Sequence, residues 1–225
     1  MPRRDRVPPR SVEATRRSAD RLREAGGTCG SYHHAGLRQS LVDASLELLA
    51  ERGPPAVTLR EVARRAGVSH SAPYRHFSNR SALLAAAAAR CLAELGACLS
   101  SARRAAGATA SAQLEAMMRA YVEFAVSNPG RFRLMFGSDV QRKLADGPEA
   151  AVVVDQIVGA LVNDSRSAAS VADAQLWAQL AWATMHGLAS FAVDPSPAGA
   201  RSASTTDLVR AAARMIHASL SLERT

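Results

Sequence analysis

An all-α fold is predicted by three observations. Apolar residues recur at spacings of three and four through segments too long for strands. Residues 58–77 read as two short helices joined by a glycine turn. No strand-turn-strand pattern and no internal repeat is visible. The expected architecture is a three-helix domain carrying a helix-turn-helix, followed by a larger helical domain. A chain of 225 residues is long enough for one small domain plus a larger one, or for a single large helical domain.

Residues 1–31 stand apart as a basic arm. Pro2, Pro8, Pro9, Gly26, Gly27 and Gly30 punctuate an arginine-rich stretch nearly free of large apolar side chains, which cannot form a core of its own. It reads either as an arm that follows phosphate or a minor groove, or as a passive solvated tail. Tyr32-His33-His34 precedes a first helix over Leu37–Arg52 and can help to seat it; two neighbouring histidines without a third ligand do not make a metal site.

In Thr58-Leu-Arg-Glu-Val-Ala-Arg-Arg-Ala-Gly67, residues Leu59, Val62, Ala63 and Ala66 form one apolar side, with Arg60, Arg64 and Arg65 on the other, toward solvent or phosphate. Thr58 suits an N-cap with Glu61 three residues on, as in a capping box, and Gly67 suits the left-handed stop. Val68 fills the angle between helices, and Ser69 can cap the next one. Two helices joined this way pack steeply and leave the second exposed, the geometry that enters a major groove.

If that second helix starts at Ser69, then His70, Ser71, Tyr74 and Arg75 share its outward face, while Pro73 and Phe77 point inward. Arg75 can make a bidentate contact to guanine, Ser69, Ser71 and His70 can bond base edges or phosphates, and Ala72 can touch a thymine methyl. Tyr74 and His76 suit phosphate oxygens. Pro73 lacks an amide hydrogen, so a 3₁₀-like start is expected.

Residues from about 32 to 90 resemble the DNA-binding domain of the TetR (AcrR-like) family of one-component transcriptional regulators. The resemblance rests on Leu37–Arg52, the run Thr58 to Ser69, Tyr74-Arg-His-Phe77, and Asn79-Arg-Ser-Ala-Leu-Leu84. Two departures are visible: the family usually has an aliphatic residue at Pro73 and often a lysine at Arg80. The resemblance implies DNA contacts by Thr58, Arg60, Ser69, His70, Ser71, Ala72, Tyr74, Arg75, His76 and Arg80.

Downstream, Ser78 or Asn79 can cap a helix from Arg80 to about Ser101, linking the reading domain (32–80) to the rest (81–225). Ala-Gly-Ala-Thr-Ala-Ser at 106–111 reads as a linker. Further helical segments run through Leu114–Ala125, ended by Asn128-Pro129-Gly130; through Phe132, Met135 and Phe136, stopped by Gly137; through Val152–Val162; and over about 171–193 and 204–221.

Trp182-Ala-Thr-Met-His186-Gly187 resembles the signature of a TetR subgroup. That resemblance implies that this half binds a small molecule and forms a homodimer. The last two helices would pair with their copies, Ala181, Ala183 and Gly187 permitting close approach and Leu, Met and Ile of the final helix supplying the seam. Two reading helices must also reach successive major grooves roughly 34–36 Å apart. Met117, Met118, Tyr121, Phe124, Met135, Trp177 and Met185 can surround a largely apolar effector, with His186 as a polar anchor. Each can equally be ordinary core.

The net charge of +8, from 28 Lys+Arg against 20 Asp+Glu, favours an acidic polymer or a membrane surface as partner. No run of spanning length is present, so no membrane partner is expected. Lys143 is the only lysine, and the alanine-rich, arginine-rich composition fits a GC-rich coding bias. Cys29, Cys91 and Cys98 form no CxxC pair; they point to free thiols in a reducing cytoplasm, where the Asn163-Asp-Ser165 glycosylation pattern has no use. No catalytic nucleophile motif, phosphate loop or metal cluster stands out, so neither an enzyme nor a cofactor is expected. The expected function is that of an operator-binding regulator, a repressor released by its effector. The alternative is an architectural DNA-binding protein without an effector.

Overall fold

The computed structural model describes residues 29–137, 171–194 and 204–222. The chain divides into a short unit, residues 1–40, and a larger one, residues 41–225. Among the described residues all regular structure is helical.

Helix α1 spans Cys29–Arg52 and so begins earlier than the sequence implied. Tyr32, His33 and His34 lie inside it, and the arm gives way to helix at Cys29 instead of after residue 31. In the larger unit its inward face is wide, with Leu41, Val42, Ala44, Leu46, Leu48 and Leu49 buried. The buried Ser45 hydroxyl donates to the carbonyl of Val42 at 2.7 Å, which avoids the cost of an unpaired polar group. Gly53 ends the helix at φ 74°, a conformation cheap only for glycine, and a single 3₁₀ turn, Pro54–Ala56, follows.

Helix α2 spans Leu59–Arg65. Thr58 Oγ1 accepts from the Glu61 amide at 3.2 Å, so the expected cap forms. The box stays half closed, because the Glu61 carboxylate turns to Arg52 and Arg64 and the Thr58 amide bonds Ala56 instead. Gly67 takes φ 68°, and the Val68 amide reaches back to the Ala63 carbonyl at 3.0 Å, the bond that closes a Schellman-type end.

Helix α3, Arg80–Ala105, is capped by Asn79 Oδ1 on the Ala82 amide at 2.9 Å and runs four residues past the expected end. Among the described residues it is the one helix long and apolar enough to cross a membrane, but half of its most apolar stretch is buried by neighbouring helices. The expected linker at 106–111 is a tight turn: Gly107 sits at φ 85°, its carbonyl is held by Gln113 Nε2 at 2.9 Å, and Thr109 already caps α4, Ala110–Ser127. Alanine and serine there lengthen a helix as readily as they fill a loop.

Helix α4 is the centre of the second half, packing against α3, against α5 (Pro129–Phe136), and against α6 (Val171–Val193) and α7 (Thr205–Leu222). Pro129 opens α5 at the position where a missing amide costs least. The segment 152–162 and the pattern at 163–165 lie outside the described residues. On α7 the expected seam is corrected. Val209, Ala213 and Ile216 are buried within the chain's own bundle, whereas Leu208 and Met215 are 42% and 59% exposed. Leu176, Leu180 and Phe191 of α6 are exposed likewise, while Ala181 is buried.

Candidate nucleic-acid interface and effector core

The second element of the helix-turn-helix is shorter than a regular helix. After Ser69 the chain turns, the Ala72 amide bonding the Ser69 carbonyl at 3.0 Å, and a single 3₁₀ turn spans Pro73–Arg75. This corrects the expected α-helix from Ser69. The Ser69 hydroxyl lies 3.2 Å from that of Ser71 and caps no amide. The cause is local: Pro73 removes one amide, and the Arg75 and His76 amides close i→i−3 bonds to Ala72 and Pro73. Pro73 and Phe77 are buried as expected and anchor the turn. His70, Ser71 and Arg75 are exposed, Ala72 and His76 half-buried, and Tyr74 is 62% exposed. The expected outward face survives the change of helix type.

The arginines divide sharply. Arg64 is chelated by Glu61, with Nε and Nη2 at 3.0 and 2.6 Å, and Arg52 donates to the same carboxylate. The two guanidiniums hold Glu61 well below the usual carboxylate range, at about 2. Arg65 is held by Glu51 and by Glu47 of α1. Arg80 donates from Nε to the Val57 carbonyl and from Nη2 to that of Pro54, both at 2.6 Å, so it ties the 3₁₀ turn after α1 to the start of α3. Arg60 and Arg75 keep their guanidiniums exposed, and Thr58 is exposed beside Arg60. Spacing alone does not sort these cations, because Arg65 and Arg80 find partners 14 to 26 residues away.

The second cluster forms where α4, α5 and α6 meet. The Tyr121 phenol lies 3.0 Å from His186 Nδ1. Trp182 stacks on the imidazole at 5.3 Å and 18°, and Phe136 and Phe132 stand 4.4 and 5.3 Å from it. Burial pushes the Tyr121 phenol up, partly offset by a contact from the Trp182 side chain. An indole N–H only donates, and Nδ1 is the acceptor for the phenol hydrogen among the described residues. The phenol therefore donates to Nδ1, His186 carries its proton on Nε2, and burial pushes the imidazole below its ordinary value, keeping it neutral.

Of the residues expected to line a cavity, Met117, Met118, Tyr121, Met135 and Met185 are packed core, and Phe124, Trp177 and His186 are half-buried. Two surface grooves, of about 270 Å³ between α4 and α7 and about 450 Å³ between α3 and α4, are lined by none of them. Phe132, Phe136 and Trp182 were missed as partners of His186. The one signal was the four-residue spacing of Trp182 and His186, which puts both on one side of a helix.

Helix α5 connects the aromatic cluster to α3 and to the end of α1. Its Phe132 and Phe136 face His186, its Arg131 donates to Glu94 of α3 at 2.7 Å, and Gly130 lies against the Leu49 backbone near the end of α1. Glu94 also pairs with Arg90 of α3 at 2.8 Å.

Residues 41–96 match the model for bacterial regulatory proteins of the tetR family, and residues 114–219 match a tetracyclin repressor-like C-terminal domain. The chain belongs to the TetR family. The solved structure of a protein with unknown function from Rhodococcus sp. RHA1 is 32% identical, with a TM-score of 0.65 over 84% of this chain and 98% of that one. An HTH-type transcriptional regulator of Mycobacterium tuberculosis is 29% identical over 141 residues, 62% of this chain. The chain spans 60% of that relative's length. The fold is shared with the transcriptional regulator FadR from Bacillus subtilis, solved in complex with stearoyl-CoA, at a TM-score of 0.61 and 15% identity over 79% of this chain and 96% of that one.

Proposed function

We propose that this TetR-family chain is a cytoplasmic, non-enzymatic, homodimeric regulator that binds operator DNA and is released from it by a small, largely apolar effector. The observation that carries the reading is the exposed turn of His70, Ser71, Tyr74 and Arg75 on its buried Pro73 and Phe77 anchor. Side chains of that chemistry on a convex edge fit base edges and phosphates, with Arg60 and Thr58 beside them. The exposed Leu176, Leu180, Phe191, Leu208 and Met215 supply an apolar surface for a second copy. The acyl thioester held by FadR supports a long apolar ligand class for this fold.

In this mechanism the effector acts on the aromatic cluster of α4 to α6. Displacing Phe132 and Phe136 moves α5, which carries Arg131 away from Glu94 and Gly130 away from Leu49. The spacing of the two reading turns changes with it. Linkage then requires that operator DNA weaken effector binding by the same factor, about 5–150-fold for a coupling of roughly 1–3 kcal/mol. The test begins with selection of duplexes bound by the intact dimer, followed by calorimetric titration of stearoyl-CoA and other apolar compounds with and without the selected duplex. Equal affinities in the two titrations refute release by an effector. Occupancy of many unrelated duplexes with no preferred one favours the architectural alternative.

A further inference from the structure

The polar groups of the aromatic cluster form a chain with a direction. An indole N–H only donates, and the Trp182 side chain reaches the Tyr121 phenol. The phenol donates in turn to His186 Nδ1 at 3.0 Å, so the neutral imidazole carries its hydrogen on Nε2 and the chain ends in a donor. Donors linked in this way polarise one another, which strengthens the last of them. Among the described residues no side chain or carbonyl accepts from Nε2.

The surroundings of that donor decide what can satisfy it. Trp182 stacks on the imidazole at 18°, and Phe132 and Phe136 stand 5.3 and 4.4 Å from it, a wall that is apolar and uncharged. The guanidiniums of α5 are committed elsewhere, Arg131 to Glu94 at 2.7 Å and Arg133 to Asp194 at 3.2 and 2.5 Å. His186, Phe136 and Trp182 are half-buried. A carboxylate brought against this wall leaves water with no cation opposite it, which costs more than one hydrogen bond returns. An ammonium can lie on an aromatic face, but it only donates and so leaves the Nε2 hydrogen unmet. A hydrocarbon suits the wall, yet it strips water from the same N–H and offers nothing in exchange. A carbonyl meets both demands, being uncharged and an acceptor.

Resting on the proposed release by an apolar effector, we infer that this effector is an uncharged carbonyl compound, an ester, thioester, ketone or amide on an apolar body, whose oxygen accepts from His186 Nε2 while the body packs among Phe132, Phe136 and Trp182. The aromatic wall supplies affinity, and the single N–H sets which apolar molecules are accepted. Tyr121 is a positioning residue, because its bond to Nδ1 places the hydrogen on Nε2.

Four probes of matched length test this on the full chain: methyl octanoate, octanoate, octylamine and decane, with binding followed by tryptophan fluorescence. The ester should bind more tightly than octanoate and octylamine. Its affinity relative to decane should fall by about tenfold or more in His186→Phe, which keeps an aromatic ring without the donor. His186→Gln, which keeps an N–H, should restore part of that preference. Nitrogen-15 NMR of the parent's histidine rings gives a readout that no variant's folding can obscure: a ring with its hydrogen on Nε2 whose N–H resonance moves downfield with the ester and stays with decane. A preference for the ester that survives His186→Phe overturns the inference, as does an Nε2 resonance indifferent to the ester. Tighter binding of octanoate than of its ester marks an anion site and overturns it too. If none of the four binds the parent, the apolar-effector reading and this inference fall together. If they bind and release the operator without regard to the carbonyl, this inference falls alone.

Discussion

Replacing Tyr121 with Phe isolates the polar tie inside the aromatic cluster. The ring is fully buried and Phe fills the same space, so no cavity opens and the perturbation is the loss of one hydroxyl. That hydroxyl satisfies His186 Nδ1 at 3.0 Å. Leaving a buried acceptor unpaired costs about 1–3 kcal/mol. Here His186 and Trp182 are half-buried and water can reach part of the cluster, so the lower part of that range applies, about 1–2 kcal/mol. With a urea dependence of about 2 kcal/mol/M, the unfolding midpoint should fall by roughly 0.5–1 M, measured at fixed protein concentration because a dimer's stability depends on it. A second readout is specific to the assigned tautomer. The neutral imidazole loses the donor that favours it, so its folded pKa should rise back toward the ordinary 6.5. Trp182, stacked on the ring, reports protonation by fluorescence. In the parent, His186 binds fewer protons folded than unfolded, so it lends stability above pH 6.5 that is lost as the pH falls below it. Tyr121→Phe should shift the fluorescence midpoint upward. An unchanged midpoint together with unchanged urea stability refutes the assignment of the phenol as donor.

Met215→Glu on α7 places a charge on the exposed seam and should give a folded monomer by sedimentation with little operator affinity; Ile216→Glu, buried in the protomer, should instead unfold it by several kcal/mol. Arg80→Ala removes two carbonyl ties and should destabilise the reading half by about 1–3 kcal/mol, lowering its melting temperature even without DNA. Arg75→Ala should leave thermal stability unchanged and cost about 1–3 kcal/mol of preference for the operator over scrambled duplex in a binding competition. Burial pushes the Cys91 thiol up to about 12 from an ordinary 9, so the folded state holds a proton that the unfolded state releases. Stability should therefore fall between pH 9 and 12 by up to about 1.4 kcal/mol per pH unit from this group, and Cys91→Ala should remove that slope in urea titrations.

What the sequence made legible was governed by short-range rules. Thr58, Gly67 and Asn79 act within three or four residues of themselves, and each takes its expected place. Pro73 and Phe77 turn inward because both can only be core there. Periodicity also located α4, α6 and α7, but it does not say which neighbour an apolar face meets. Helix α7 is apolar on two sides, so Ile216 and Met215 looked alike until one was found inside the bundle and the other outside. The pairing of Arg65 and Arg80 was hidden for a related reason. An arginine's identity announces a charge, while its partner is set by folding distance, as with Arg80 and Pro54, 26 residues apart. The ligand-lining residues were the weakest inference because a methionine suits core and cavity wall equally.

The brevity of the Pro73–Arg75 turn limits how much information the protein can extract by touch. From Ser69 to Arg75 the element is seven residues long, and at a rise of about 1.5–2 Å per residue it lies along roughly three or four base pairs. On the proposed function, a two-fold pair of such turns would read some seven base pairs directly, a word that recurs by chance about once in 10⁴ positions, against the roughly 10⁶–10⁹ competing sites of a genome. Direct contact alone leaves many decoys for every true operator. The remaining discrimination must then lie in the bases that neither turn touches, whose stiffness and groove width decide how readily the duplex meets two fixed contact points. Operators of this protein should accordingly show constrained composition in the spacer between half-sites as well as in the half-sites themselves.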